Sequence, residues 1–177
     1  MSKLYVVVDM QNDFVYGSLG SPEARAIVPT VRRLVDEWRS AGEEIVFTRD
    51  THGEDYFSTQ EGKKLPVAHC QKGTDGWQII EGLHKGERVF DKPVFGSEEL
   101  CAYVRAGDYK EITIIGVCTD ICVLSNAVLI KSACPSAVVK VVANACAGVT
   151  PALHEAALQV LSSVQVEILD KLISYIV

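Results

Sequence analysis

The segment ITIIGVCTDIC, residues 112–122, determines the fold class expected for this sequence. Its first part, residues 112–115, is an almost continuous apolar run with the length of a buried strand, and Gly116 interrupts it. An apolar stretch with the length of a helix follows at residues 119–133. A strand without polar alternation that leads into a helix is typical of a parallel sheet covered on both faces.

The same alternation of strand and helix extends along the chain in both directions. Strands are predicted at residues 5–8, 44–47, 88–90, 112–115, 138–142 and 164–169. Helices are predicted from Ser21-Pro22 to Ala41-Gly42 and at residues 97–104, 119–133 and 151–161. We therefore expect one domain over residues 1–177, with a three-layer α/β/α fold and a mainly parallel sheet of about six strands.

Two segments lie outside this alternation. Residues 49–87 form a long irregular stretch, and such stretches in compact domains usually carry function. The tail at residues 171–177 is apolar, and its pattern fits neither a helix nor a strand clearly.

Composition and charge exclude several classes of protein. Hydrophobic residues make up 48% and charged residues 23% of the 177 residues, which excludes intrinsic disorder. The formal charge of −6 argues against nucleic acid or an anionic membrane as a partner, because phosphate binding requires clustered Lys and Arg. No apolar run approaches the roughly 18 residues of a membrane span, and the first run meets Asp9 too early for a signal peptide. We expect a cytoplasmic protein whose six cysteines are reduced.

Polar residues that could react follow directly after the predicted strands. Asp9 follows the first strand, Asp50 the second and Lys92 the third, while residues 116–122 follow the fourth. Ligands of open parallel sheets bind beyond the carboxyl ends of the strands. Carboxylates, an amine and a thiol are therefore expected to meet at one edge of the sheet, although each alone could be an ordinary turn residue.

Cys122 is the best candidate for a nucleophile. If Thr119 caps the following helix, Cys122 lies in its first turn, where unpaired N–H groups and the helix dipole stabilise a thiolate. Lys92 would lower the pKa of this thiol further, and Asp9 could move its proton. The backbone N–H groups near Cys118 and Cys122 could form an oxyanion hole. The alternatives are that Cys122 is only a packed helix residue, or that Cys118 in the preceding turn reacts instead.

The long irregular segment contains the residues of a candidate metal site. Asp50 and His52 lie two positions apart, and His69 follows later in the segment. A carboxylate with two imidazoles suits Zn²⁺, Fe²⁺ or Mn²⁺. The side chains between them that could add a ligand are Glu54, Asp55, Ser58 and Glu61. The alternative is a polar loop with surface histidines, and the position of Asp50 at the same sheet edge as the thiol argues for the metal site.

Five segments in a fixed order carry a family resemblance. They are residues 8–14 (VDMQNDF), 48–52 (TRDTH), 66–74 (PVAHCQKGT), 91–92 (DK) and 116–123 (GVCTDICV). Together they resemble the isochorismatase-like cysteine hydrolases, and the histidine-containing segments resemble the nicotinamidase branch of that family.

The resemblance implies a catalytic triad of Asp9, Lys92 and Cys122. It also implies that the amides of Cys118 and Cys122 donate to the oxyanion, beside a cis peptide between Val117 and Cys118.

The resemblance further implies a divalent metal ion on Asp50, His52 and His69. Zinc is the expected ion, with iron or manganese as alternatives. Glu61 is the expected additional ligand, because Ser58 stands where many nicotinamidases have another histidine.

The activity implied by the resemblance is the hydrolysis of an aromatic carboxamide, nicotinamide, to nicotinate and ammonia through a thioester on Cys122. Phe14 would form an aromatic wall against the substrate ring, and assembly into a homo-oligomer stays open. One alternative is a metal-free amidase of the same family that acts on carbamoyl or ureido substrates. Another is a family member without catalytic activity.

Overall fold

The computed structural model describes residues 2–169, and its main elements follow the predicted alternation. The strands are β1 (Lys3–Val8), β2 (Ile45–Asp50), β3 (Arg88–Lys92), β4 (Glu111–Val117), β5 (Val138–Ala147) and β6 (Glu167–Leu169). The α-helices are α1 (Asn12–Val15), α2 (Pro22–Ser40), α3 (Gln60–Lys64), α4 (Glu98–Ala106), α5 (Leu124–Ala133) and α6 (Pro151–Ser163). The apolar tail at residues 171–177 lies outside the described residues.

The six strands form one parallel sheet in the order β3-β2-β1-β4-β5-β6. Helix α2 covers one face, where the rings of Tyr5 and Trp38 stack with their centroids 4.2 Å apart. Helices α4, α5 and α6 pack against one another on the other face. The predicted three-layer α/β/α fold is confirmed. The strand order reverses between β1 and β4, which is where open α/β sheets bind their ligands.

Capping side chains fix the starts of two long helices. The amide of Ala24 donates to the hydroxyl of Ser21 at 3.0 Å, and Pro22 occupies the first position of α2. The amide of Leu100 donates to the hydroxyl of Ser97 at 3.1 Å at the start of α4. Both helix starts were predicted from these residues and are confirmed.

Gly116 allows β1 and β4 to approach each other where the strand order reverses. Its φ of 120° lies in the region that favours glycine, and a Cβ at this position would lie 2.1 Å from the carbonyl oxygen of Val8.

On the other side of β4 the pairing with β5 shifts register between Ile114 and Gly116. Strand β5 therefore continues to Ala147, five residues beyond its predicted end at residue 142.

The chain after β4 differs from the prediction. Thr119–Val123 form a π-helical turn before α5, and the amide of Val123 donates to the carbonyl oxygen of Cys118 at 3.0 Å. Cys118 is the N-cap residue, and the hydroxyl of Thr119 is hydrogen-bonded to Nδ1 of His154 in α6 at 2.8 Å. The predicted cap at Thr119 is therefore wrong, because the side chain of Thr119 bonds α6 and not the helix start.

Short elements and element ends account for the other differences. The predicted irregular stretch contains a 3₁₀ turn at Tyr56–Ser58 as well as α3, and α1 was not predicted because four residues are too few to show helical spacing. Strand β6 begins at Glu167, since α6 extends to Ser163. Among the described residues, no helix has both the length and the apolar character needed to cross a membrane.

Candidate active site

Three of the predicted reactive side chains lie in contact at the carboxyl edge of the sheet. Asp9 follows β1, Lys92 ends β3, and Cys122 lies in the π-helical turn after β4. Nζ of Lys92 lies 2.7 Å from Oδ2 of Asp9 and 3.5 Å from Sγ of Cys122. The strand order thus brings together groups that are far apart in the sequence.

The ammonium group of Lys92 also contacts a second carboxylate and a loop carbonyl. Its Nζ lies 3.2 Å from Oδ1 of Asp50 and 3.2 Å from the carbonyl oxygen of Val94. Burial alone would lower the pKa of Lys92, but the negative charges of Asp9, Cys122 and Asp50 raise it well above its usual value. Lys92 therefore stays a cation at physiological pH.

Asp9 is fully buried and held in a defined orientation. The hydroxyl of Thr48 donates to its Oδ1 at 2.6 Å, and its φ of 49° turns the backbone into the left-handed region. Burial raises the pKa of Asp9, Lys92 opposes this effect, and the charge of Asp50 adds to it. A carboxyl group with a raised pKa beside a thiol suits proton transfer near neutral pH.

The thiol of Cys122 is less acidic than the sequence predicts. Only 5% of Cys122 is exposed. Burial raises its pKa well above the usual value, the charge of Asp9 raises it further, and Lys92 offsets only part of this. Lys92 lowers the pKa of this thiol as predicted, but the net shift is a rise, because loss of hydration outweighs the nearby cation. The resting group is a thiol, and its hydrogen bond to Asp9 provides a path for the proton.

Cys118 lies between β4 and the π-helical turn, and the Val117–Cys118 peptide is cis as the resemblance implied. Burial and the charge of Asp120 raise the pKa of Cys118 to about 12. The side chain of Cys118 is therefore a protonated thiol at neutral pH, like that of an ordinary buried cysteine. The oxyanion role of the Cys118 and Cys122 amides stays a prediction. All six cysteines are free, which agrees with the expectation of reduced thiols.

The predicted metal-binding side chains form a second cluster beside Lys92. The ligand atoms of Asp50, His52, Glu61 and His69 all lie within 4.8 Å of one another. Nε2 of His52 lies 2.9 Å from Oδ2 of Asp50. Nε2 of His69 lies 3.5 Å from the same Asp50 oxygen and 3.7 Å from Oε1 of Glu61. Two carboxylates and two imidazoles match the mixed ligands of Zn²⁺, Fe²⁺ or Mn²⁺.

The surroundings of this cluster orient its donors. Nδ1 of His69 donates to the carbonyl oxygen of Val67 at 2.8 Å, which leaves Nε2 facing Asp50 and Glu61. Burial alone would raise the pKa of Asp50, but hydrogen bonds to the neighbouring imidazoles hold it well below its usual value. Burial and the charge of Asp50 raise the pKa of Glu61. A buried carboxylate, Asp50, this close to the partly buried carboxylate of Glu61 favours a bound cation, so the residues present fit a divalent metal ion.

A cavity of about 300 Å³ lies over both clusters. Asp50, Glu61, His69, Cys118 and Cys122 line it together with a mostly apolar wall that contains Phe14, Leu19, Ala24, Leu65, Phe95, Ile121, Ala147 and Val149. The ring centroid of Phe14 lies 5.7 Å from that of His69, where the resemblance places an aromatic wall. None of the described residues that line the cavity is a lysine or an arginine.

Two polar residues that hold the site were not predicted. Gln11 is fully buried; its Oε1 accepts from the amide of Asp50 at 2.7 Å, and its Nε2 donates to the carbonyl oxygens of Asp50 and Trp77 at 2.9 Å. Thr48 holds Asp9 as described above. Both residues belong to the motifs that carry the family resemblance: Gln11 lies in VDMQNDF and Thr48 in TRDTH. Their roles were missed because Asp50 and Asp9, which they contact, each lie 39 residues away in the chain.

Comparison with known proteins agrees with this geometry. A model of the isochorismatase domain matches residues 3–171. The nicotinamidase of Escherichia coli (strain K12) is 28% identical over an alignment of 151 residues, and the match covers 67% of this chain and 71% of that protein. The zinc complex of the pyrazinamidase of Pyrococcus horikoshii has a TM-score of 0.84 and 28% identity, covering 97% of this chain and 100% of that chain. The N-carbamoylsarcosine amidase of Thermoplasma acidophilum has a TM-score of 0.80 and 25% identity, covering 98% and 100%. The chain therefore belongs to the isochorismatase domain family, and within it is similar to the nicotinamidases.

Proposed function

We propose that this isochorismatase-family amidohydrolase is a nicotinamidase, which converts nicotinamide and water to nicotinate and ammonia. One observation carries the proposal: Nζ of Lys92 lies 3.5 Å from Sγ of Cys122 and 3.2 Å from Oδ1 of Asp50, so the thiol and the donor cluster share one cavity. A small ring that bears both a carboxamide and a nitrogen atom can meet both groups at once. The nicotinamidase and pyrazinamidase among the related proteins support this substrate class.

We expect Asp50, His52, Glu61 and His69 to hold a divalent metal ion, with zinc first and iron or manganese as alternatives. When bound, the ion supplies a Lewis-acidic position for the pyridine nitrogen. Glu61→Ala should weaken zinc retention during dialysis against a chelator, and the exposed Ser58→Ala should leave it unchanged. Equal zinc retention in the two variants would remove Glu61 from the ligand set.

In the first half of the reaction, Asp9 takes the proton of Cys122 while Sγ attacks the amide carbon. The amides of Cys118 and Cys122 stabilise the negative charge that forms on the amide oxygen. The C–N bond then breaks and Asp9 gives its proton to the leaving nitrogen. Ammonia leaves, and the acyl group stays on Cys122 as a thioester.

In the second half, Asp9 takes a proton from a water molecule whose oxygen attacks the thioester carbon. The S–C bond breaks, Asp9 returns the proton to Sγ of Cys122, and the new carboxylic acid leaves and releases its remaining proton to solvent as nicotinate. Lys92 keeps its charge throughout, because its pKa is raised, and so it can stabilise a negative carboxylate or a negative thiolate in turn.

A metal-free amidase for carbamoyl or ureido substrates is the second candidate, since N-carbamoylsarcosine amidase shares the fold. A carbamoyl amino acid carries a carboxylate that needs a cation, and the described lining of the cavity contains Asp50 and Glu61 but no lysine or arginine. The cavity therefore favours a neutral aromatic amide. The contacts among Asp9, Lys92 and Cys122 favour a catalytic family member over a non-catalytic one.

The test is an ammonia-coupled assay with nicotinamide and with N-carbamoylsarcosine, beside elemental analysis of the purified protein. We expect ammonia from nicotinamide only, together with a stoichiometric divalent metal. Cys122→Ala is the control for ammonia from other sources. Absence of turnover in the zinc-loaded protein would contradict the proposal. The cytoplasmic location stays a prediction, and assembly into a homo-oligomer stays open.

A further inference from the structure

We propose that Asn126 is a positioning residue that sets the distance between the nucleophile and the cavity wall at Phe95; the proposal rests on the nicotinamidase function. Asn126 lies in the first turn of α5 and is fully buried. It belongs to neither the group around Lys92 nor the metal-binding cluster.

The side chain of Asn126 joins three backbone groups. Its Nδ2 donates to the carbonyl oxygen of Cys122 at 2.8 Å and to that of Phe95 at 3.1 Å. Its Oδ1 accepts from the amide of Ser97 at 3.0 Å. A primary amide has two N–H donors and one acceptor oxygen, and Asn126 uses all three groups. One side chain therefore ties the turn that carries the thiol to the segment that leads from β3 to α4.

This tie controls the width of the cavity. Phe95 and Cys122 both line the cavity, and Phe95 is 45% exposed, so burial of its ring does little to hold it in place. Beside it, a Cβ on Gly96 would lie 2.4 Å from a methyl carbon of Leu129, so the segment already lies close against α5. The bond from Asn126 to the Phe95 carbonyl oxygen holds the wall at this distance. A substrate ring between wall and thiol is then kept within reach of Sγ.

The proposal predicts different kinetics for two substitutions. Asn126→Ala removes all three bonds, so KM for nicotinamide should rise, kcat should fall, and kcat/KM should drop about ten- to a hundredfold. Asn126→Thr keeps a hydroxyl that can donate to the Cys122 carbonyl oxygen four residues back, but it cannot reach Phe95. It should raise KM and leave kcat within about twofold. Ser132→Ala is the matched control, because it removes an exposed bond of the same helix, from Oγ to the Val128 carbonyl oxygen.

Alkylation of Cys122 by iodoacetamide, followed by peptide mass spectrometry, gives a second readout. Release of the Phe95 segment should expose the buried thiol and make alkylation in Asn126→Ala several-fold faster than in the wild type. A purely structural role would instead lower kcat in proportion to the folded fraction and leave KM unchanged, and this result would overturn the proposal. If Asn126→Ala does not fold, an unchanged KM in Asn126→Thr overturns it.

The two proposals fail in distinguishable ways. If the wild type releases no ammonia from nicotinamide, the proposed function is wrong, and the alkylation rate still tests the position of Asn126. Equal alkylation rates in the wild type and in folded Asn126→Ala would then overturn the positioning role.

Discussion

Replacement of Lys92 by methionine removes the one charge that the two buried carboxylates share. Nζ of Lys92 lies 2.7 Å from Asp9 and 3.2 Å from Asp50. At these distances each attraction is worth about 5–6 kcal/mol at an effective dielectric constant of about 20, and desolvation of the ammonium offsets much of it. Loss of one partner of a buried pair costs about 3–5 kcal/mol. We expect Lys92→Met to lower the free energy of unfolding by this amount near neutral pH.

The loss of stability in Lys92→Met should depend on pH with a defined sign. Burial raises the pKa of Asp9 in the wild type, and Lys92 opposes the rise. Without Lys92 the pKa of Asp9 in the folded protein rises further above its unfolded value. The folded variant then holds a proton that the unfolded chain releases, so its free energy of unfolding falls as pH rises, by up to about 1.4 kcal/mol per pH unit for one proton. The difference from the wild type should be small near pH 4 and full above the raised pKa of Asp9.

Urea unfolding followed by tryptophan fluorescence between about pH 5 and pH 8 measures this effect, with a chelator present so that metal binding does not contribute. Lys110→Met is the matched control: Nζ of Lys110 also lies 2.7 Å from a carboxylate, that of Asp108, but both side chains are mostly exposed. Its loss should cost less than about 1 kcal/mol. The electrostatic argument is refuted if Lys92→Met is as stable as the wild type, or if its loss of stability does not grow with pH.

The remaining predictions concern catalysis. In the ammonia assay, Cys122→Ala should lower kcat at least ~10³-fold while Cys118→Ala keeps most of the activity, and the opposite result would exchange their roles. Asp9→Asn keeps the size of the side chain but cannot take the thiol proton, so turnover should fall about 10²- to 10⁴-fold, and a normal rate would exclude Asp9 as the base. Chelation or His52→Ala should stop nicotinamide turnover while Cys122 still reacts with a small alkylating agent. His84→Ala should change nothing, and full activity in demetallated protein would leave the metal-free amidase as the better assignment.

Local sequence signals predicted those parts of the molecule that depend on neighbouring residues. Apolar runs predicted the strands, and Ser21 and Ser97 predicted two helix starts, because caps act over one helical turn. Asp9, Asp50 and Lys92 were identified as residues of one sheet edge, because parallel strands end together.

Features that depend on distant packing were missed. The net rise in the pKa of Cys122 was missed, because the position of a residue in a helix predicts the effect of the dipole but not how completely the thiol is buried. Thr119 was assigned as a cap because no local pattern shows that His154 approaches its hydroxyl. The buried hydrogen bonds between the side chain of Gln11 and the backbone of Asp50 were missed for the same reason.

The sheet holds the reacting groups, whereas much of the cavity wall lies outside it, so substitutions in the two places have different consequences. The reacting groups stand at the ends of β1, β2, β3 and β4, where a shift of one strand would disturb its neighbours. Much of the apolar wall comes instead from loops and short helices, through Phe14, Leu65, Phe95 and Val149, although Ala24 of α2 and Ala147 of β5 also contribute. Loop substitutions can therefore accumulate and alter which amide is accepted without dismantling the chemistry. A scaffold divided in this way can diversify its substrates over many generations while one reaction persists.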